Sequence, residues 1–106
     1  MKVFAAHSNI RKLIASLDKS TQGKALKLIR VLSVQGKFLS MPFSKKVSKD
    51  MYELRITAEN NLRIIYAFNR GRIILLHAFV KKSQKLPKKE LRIAEERLAS
   101  LIRYNI

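Results

Sequence analysis

The chain has 106 residues, 23 Lys and Arg against 7 Asp and Glu, a formal net charge of +16, and 47% apolar residues. That length bounds it to one domain, 1–106, with a real core, and the apolar content excludes a disordered basic tail. No run approaches the roughly 18 apolar residues of a membrane span, residues 1–7 are too short for a secretory signal, and the lack of cysteine excludes disulfides and thiolate zinc sites and fits a reducing, cytoplasmic setting.

Residues 1–6 read as a short strand. Ile10, Leu13, Ile14 and Leu17 follow the i, i+3, i+4, i+7 spacing of one helical face, with Ser8 as the expected N-cap. A second helix follows Asp18 or Ser20. Its stripe is Ala25, Leu28, Ile29 and Leu32, and Gly36 is its stop. Met41-Pro42 resists helix, and residues 44–49 (SKKVSK) read as a basic loop. Tyr52, Leu54 and Ile56 then alternate with Glu53, Arg55 and Thr57, the period of a strand with one apolar and one charged face. Glu59-Asn60-Asn61 reads as a turn and residues 62–68 as a second strand. Asn69-Arg70-Gly71 is a tight hairpin link to a third strand, 72–80. That strand carries a continuous apolar run, which marks burial, and ends abruptly at Lys81-Lys82. Pro87 opens a last helix with an inner face of Leu91, Ala94, Leu98, Leu101 and Ile102.

This order predicts an α+β fold: a small, antiparallel-rich sheet with two N-terminal helices and a C-terminal helix. The short connections favour a meander with the helices on one face and the other face partly open.

Side-chain parity sets Arg55 opposite to Leu54 and Ile56, and Arg63 opposite to Ile64 and Tyr66. If both occupy the uncovered face, they approach each other across the hairpin, and Lys82 joins them from the next strand. Two guanidiniums and an ammonium repel one another, and a phosphate between them explains the gathering. Taken singly, a strand-edge arginine reads as solvated as readily as functional. His77, inside an apolar run, reads as a buried, hydrogen-bonded histidine before a catalytic one. With only His7 and His77 available, no metal site and no cofactor are expected.

Residues 41–46 (MPFSKK), 51–55 (MYELR), 62–66 (LRIIY) and, above all, 75–90 (LLHAFVKKSQKLPKKE) carry a resemblance. The chain resembles the phage-derived, HigB-like toxins of the RelE/ParE superfamily of toxin–antitoxin systems. The resemblance implies a compact sheet flanked by helices. It implies a toxin that acts as a metal-independent, ribosome-dependent mRNA endoribonuclease and inhibits translation, with the ribosome and mRNA as partners. It also implies a cognate antitoxin, expected to be of the helix-turn-helix type. By motif position Arg55, Arg63 and Lys82 fall where RelE-type toxins carry basic residues of the site. Glu53 departs from the pattern, standing where RelE has a lysine, and after Lys82 no tyrosine follows until Tyr104.

In such a reaction the ribose 2′-OH attacks the adjacent phosphate and leaves a 2′,3′-cyclic phosphate and a 5′-OH. Arg63 is then the phosphate clamp, Arg55 its support and Lys82 the candidate for proton transfer, with Glu53 or His77 as alternative bases. Lys45, Lys46, Lys81 and Lys85 hold the RNA backbone. Two other readings compete. One is a ParE-like gyrase inhibitor of the same fold. The other is a non-catalytic basic nucleic-acid-binding module, which predicts salt-sensitive binding and no cleavage.

Overall fold

The computed structural model describes residues 1–104 of the chain. Strand β1 (Val3–Ala5) is followed by helices α1 (Ser8–Ser16) and α2 (Lys19–Gln35). Next come β2 (Ser44–Lys46), β3 (Tyr52–Thr57), β4 (Asn61–Asn69), β5 (Arg72–Val80) and α3 (Lys88–Arg103). The five strands form one mixed sheet in the order β1-β5-β4-β3-β2. β1 runs parallel to β5, and every other pairing is antiparallel. The expected α+β class is therefore the observed one.

Local chemistry explains most boundaries. Asp18 caps α2: its Oδ2 accepts from the Thr21 backbone N–H at 2.9 Å and its Oδ1 from the Thr21 hydroxyl at 2.6 Å. The Asn60 side-chain amide donates to the same Oδ1 at 2.8 Å, and the Asn60 N–H donates to Thr21 Oγ1 at 3.1 Å. The start of α2 is thus tied to the β3–β4 turn. The helix ends at Gly36, whose φ of 55° lies in the left-handed region that glycine tolerates. The β4–β5 hairpin turns on Arg70 and Gly71, with φ of 55° and 73°, the paired positive values of a type I′ turn.

Hydrogen bonds to Asp18, foremost from the Thr21 hydroxyl and backbone and then from Asn60, lower its pKa from 3.8 to about 2. A carboxyl whose pKa falls on folding stabilises the fold above its unfolded value, and that stability is lost as pH falls through the folded one. Asp18→Asn is therefore expected to lower the thermal midpoint at pH 7. It should also flatten the decline in stability between about pH 4 and pH 2, as followed by circular dichroism.

The helices do not share one face. Leu54, Ile56, Leu62, Ile64, Tyr66, Ile73 and Leu75 pack with Ile10 of α1 and Ala25 and Leu32 of α2. Ile65, Ala67, Ile74, Leu76 and Phe79 pack on the opposite side with Ala94 of α3. β4 and β5 are buried on both faces, so each needs an apolar cover above and below. The one-face expectation fails because a strand that is apolar throughout asks for two layers of helix.

Smaller corrections have local causes. His7, not Ser8, caps α1, with Nδ1 accepting from the Asn9 N–H at 3.0 Å. Part of the expected basic loop is strand β2, because Ser44, Lys45 and Lys46 pair with Leu54, Glu53 and Tyr52. Pro87 is the N-cap of α3, not its first helical residue. Ile102 is 62% exposed, off the inner face formed by Ala94, Leu91, Leu98 and Leu101. It lies at the margin of α3, beside a shallow cleft with Tyr52 and Phe68.

Tyr52, Tyr66 and Phe68 pack as an aromatic cluster with centroids 5.4–5.7 Å apart. Burial raises the Tyr66 phenol above its ordinary pKa, against a hydrogen bond with the Ser44 hydroxyl that lowers it, while neighbouring Tyr52 adds to the rise. That bond fastens edge strand β2 to the centre of the sheet.

Candidate nucleic-acid site

β3 and β4 pair so that Arg55 stands directly opposite Arg63. The same register sets Lys45 opposite Glu53, Glu53 opposite Ile65, and Ile65 opposite His77. Residues directly opposite in an antiparallel ladder share a face. Lys45, Glu53, Arg55, Arg63, His77 and Phe79 therefore all belong to the face that α3 covers in part. α3 packs chiefly on β5 and β4, and at the β3 end of this face Glu53 is buried while Arg55 stays partly exposed.

The two arginines differ in setting. The Arg55 side chain is 28% exposed and that of Arg63 only 7%. Glu53 joins them: its Oε1 lies 3.8 Å from Arg55 Nε and 3.9 Å from Arg63 Nε. Arg63 Nη1 donates to the backbone carbonyls of Leu62 at 3.1 Å and Ile56 at 3.3 Å. Burial lowers the pKa of the Arg63 guanidinium, Glu53 opposes that shift and Arg55 adds to it. Among the described residues, Arg63 Nε and Glu53 Oε2 are buried without a hydrogen-bond partner. Buried polar groups are usually satisfied, so two such atoms in one charged cluster carry a desolvation cost.

Arg55 also reaches the opposite side of the sheet edge. Its Nη1 lies 3.6 Å from Met41 Sδ, and it lines a cleft of about 670 Å³ between α2 and residues 39–43. That lining contains Lys24, Lys27 and Arg55 and no carboxylate.

The structure brings together Arg55, Arg63 and Lys45 but separates the other candidate cations. Lys46 pairs with Tyr52, which puts it on the opposite face from Lys45. The Lys81 N–H donates to the Asn61 carbonyl at 2.8 Å and closes the β4–β5 ladder. Lys82 and Lys85 follow on the exposed link to α3. Lys82 thus stands at the end of the sheet rather than between the guanidiniums.

His77 occupies a position that sequence parity left undecided. Its Nε2 lies 2.8 Å from Glu90 Oε1 on the first turn of α3, and its ring stacks on Phe79 with centroids 5.8 Å apart. Glu90 was not among the expected site residues. Its traces in the sequence are its place at the end of the 75–90 stretch that carries the resemblance and its isolation as an acid within the basic run KLPKKELR.

Residues 12–99 match the profile of a protein family described as phage derived protein Gp49-like (DUF891). No curated protein gives a significant match.

Proposed function

The chain belongs to the phage-derived Gp49-like family, a toxin-like family related to RelE, and from that premise we propose that it is the toxin of a type II toxin–antitoxin pair that cleaves mRNA on the translating ribosome. One observation carries the reading. Arg55 and Arg63 stand opposite each other on a partly covered sheet face, with two buried polar atoms beside them short of partners.

In this reading the roles expected from the sequence are exchanged, because Arg63 is buried: Arg55 grips the scissile phosphate, since its guanidinium combines exposure with a fork that engages two oxygens. Arg63 lies behind it as a fixed positive charge and stabilises the extra negative charge of the five-coordinate phosphorus. The attacking 2′-oxygen bonds to phosphorus, the P–O5′ bond breaks, and the products are a 2′,3′-cyclic phosphate and a 5′-OH. The ribosome supplies what a chain of this size cannot, a bend in the mRNA that aligns the 2′-OH with the leaving oxygen. Lys45 and Lys81 approach the site from its two flanks. Lys82 and Lys85 extend the cationic track along the link to α3, and Lys46 holds backbone further out. An acidic segment of a helix-turn-helix antitoxin laid over this surface neutralises it.

The deciding experiment adds purified protein to ribosomes translating a defined mRNA and maps the fragment ends. Fragments with 2′,3′-cyclic phosphate ends are the expected result. Intact mRNA together with loss of gyrase supercoiling would replace this reading with a gyrase inhibitor, and intact mRNA with unaffected gyrase would leave a basic binding module.

The lysines carry a separate expectation. Binding of a single-stranded RNA should weaken with salt, and each phosphate contact contributes about 0.7 to the slope of log K against log salt concentration. Replacing Lys45, Lys46, Lys81 and Lys85 together by Ala should flatten that slope by roughly 3 if all four meet phosphate. Fluorescence anisotropy over a salt series measures it, and an unchanged slope removes these residues from the interface.

A further inference from the structure

We propose that His77 and Glu90 form the proton-transfer dyad of this site, with His77 Nδ1 as the base that receives the ribose 2′-OH proton. The proposal rests on the ribonuclease reading above and names a residue pair for the step that reading leaves open.

The first support is a β-bulge. Ile65 pairs with His77 and Tyr66 pairs with Leu75, so Leu76 has no partner of its own. Before the bulge, strict alternation sends Ile74 and Leu76 to the α3 side and Ile73 and Leu75 to the other. Continued unbroken, it would send His77 and Phe79 away from α3. Instead Phe79 packs in the α3 cluster and Ala78 in the opposite one. The inserted residue therefore turns His77 onto the face of Arg63, the re-aiming for which bulges recur beside active sites.

The second is placement. Arg63 pairs with Arg55 on one side and Phe79 on the other. Glu53 and His77 are its diagonal neighbours on the two flanking strands. Diagonal neighbours lie within reach of long side chains, and Glu53 Oε1 comes within 3.9 Å of Arg63 Nε. His77 holds the equivalent place on the β5 side. The charged groups on the elements packed against it are Glu90 and Arg97 from α3 and its diagonal neighbour Arg63 from β4, with Glu53 and Arg55 one strand further away on β3. Arg97 Nη1 donates to the Leu76 carbonyl at 2.8 Å, which fixes α3 against the bulge itself.

The third is the chemistry of the pair. With Nε2 as the donor, the Glu90 carboxyl oxygen 2.8 Å away accepts and the ring lone pair falls on Nδ1. Glu90 thereby selects the tautomer and stabilises the imidazolium that forms, as the acid of a catalytic triad does for its histidine. Phe79 holds the ring by stacking, and the His77 side chain keeps 14% exposure. In the step, His77 Nδ1 takes the 2′-OH proton as O2′ bonds to phosphorus. The 5′-oxygen leaves with the electron pair of the broken P–O5′ bond and takes a proton from water. The imidazolium then returns its proton to solvent.

The same bond would also tether α3 if its role were structural, so the variants must separate the two. Gln at position 77 keeps an N–H donor for Glu90 and lacks a base. Cleavage of a defined mRNA on translating ribosomes is measured in single turnover from acid to neutral pH for the wild type, His77→Gln and Glu90→Gln, with thermal unfolding and RNA binding measured in parallel. Expected for His77→Gln is a loss of about 10²- to 10⁴-fold in rate, disappearance of the rise in rate with pH, and an unaltered RNA affinity. Glu90→Gln should fall between the two. A folded His77→Gln protein that cuts at the wild-type rate with the wild-type pH profile overturns the dyad and leaves the ribonuclease reading standing. If His77→Gln does not fold, an unchanged rate and profile in folded Glu90→Gln overturns it in the same way. A wild type that cuts nothing refutes the ribonuclease reading, and the dyad with it.

Discussion

Arg55→Ala is expected to lower mRNA cleavage on translating ribosomes by about 10²- to 10³-fold, the usual loss when one preorganised donor to a developing anion is removed. The fold should survive. The Arg55 N–H to Phe43 carbonyl bond that holds β3 to the edge segment is a backbone bond and persists in the variant. What disappears is an ion pair at 3.8 Å, whose Glu53 carboxylate keeps Arg63 as its partner, and a contact with the Met41 sulfur at 3.6 Å. Arg55→Lys keeps the charge and loses the fork, so it should recover part of the rate and none of the two-point grip. Cleavage by Arg55→Ala at the wild-type rate would remove this residue from the chemistry.

Arg63 should behave differently, and the contrast tests the geometry. Its guanidinium is buried, bonded to two carbonyls and paired with Glu53. Removing one partner of a buried pair leaves the other charge uncompensated, at a cost of about 3–5 kcal/mol. Arg63→Ala should therefore lose stability as well as activity, visible as a lower midpoint in urea. The double variant Glu53→Leu/Arg63→Met replaces both charges with apolar groups and should return to or exceed wild-type stability while remaining inactive. An Arg63→Ala protein as stable as the wild type would contradict the burial described here. An active double variant would show that the buried pair has no part in the reaction. On the proposed reading the two arginines divide one task, with Arg55 presented to the ligand and Arg63 held behind it at an electrostatic cost the fold has to offset elsewhere.

Asp18, Gly36 and the Arg70-Gly71 turn show what a linear reading determines. Each boundary is set by a group acting within a few residues: a carboxylate on the first N–H groups of a helix, or a backbone that needs positive φ. The period-two pattern of residues 52–57 and the short β3–β4 turn likewise foretold that Arg55 and Arg63 share a face and meet, because antiparallel register over a short turn is local information. Three things lay beyond it. The side of the sheet on which α3 lands depends on the path of the link after β5, and the sequence marks that link only as polar. The approach of Glu53 to both guanidiniums depends on how side chains fill the space beneath an incomplete cover. The bulge at Leu76 reverses the parity of everything after it, and one extra apolar residue in an apolar run leaves no mark. Local rules place residues along a strand, but tertiary packing decides which face of the sheet each one meets. On that choice His77, hydrogen-bonded as expected, meets α3 and the diagonal neighbour Arg63 rather than the opposite core.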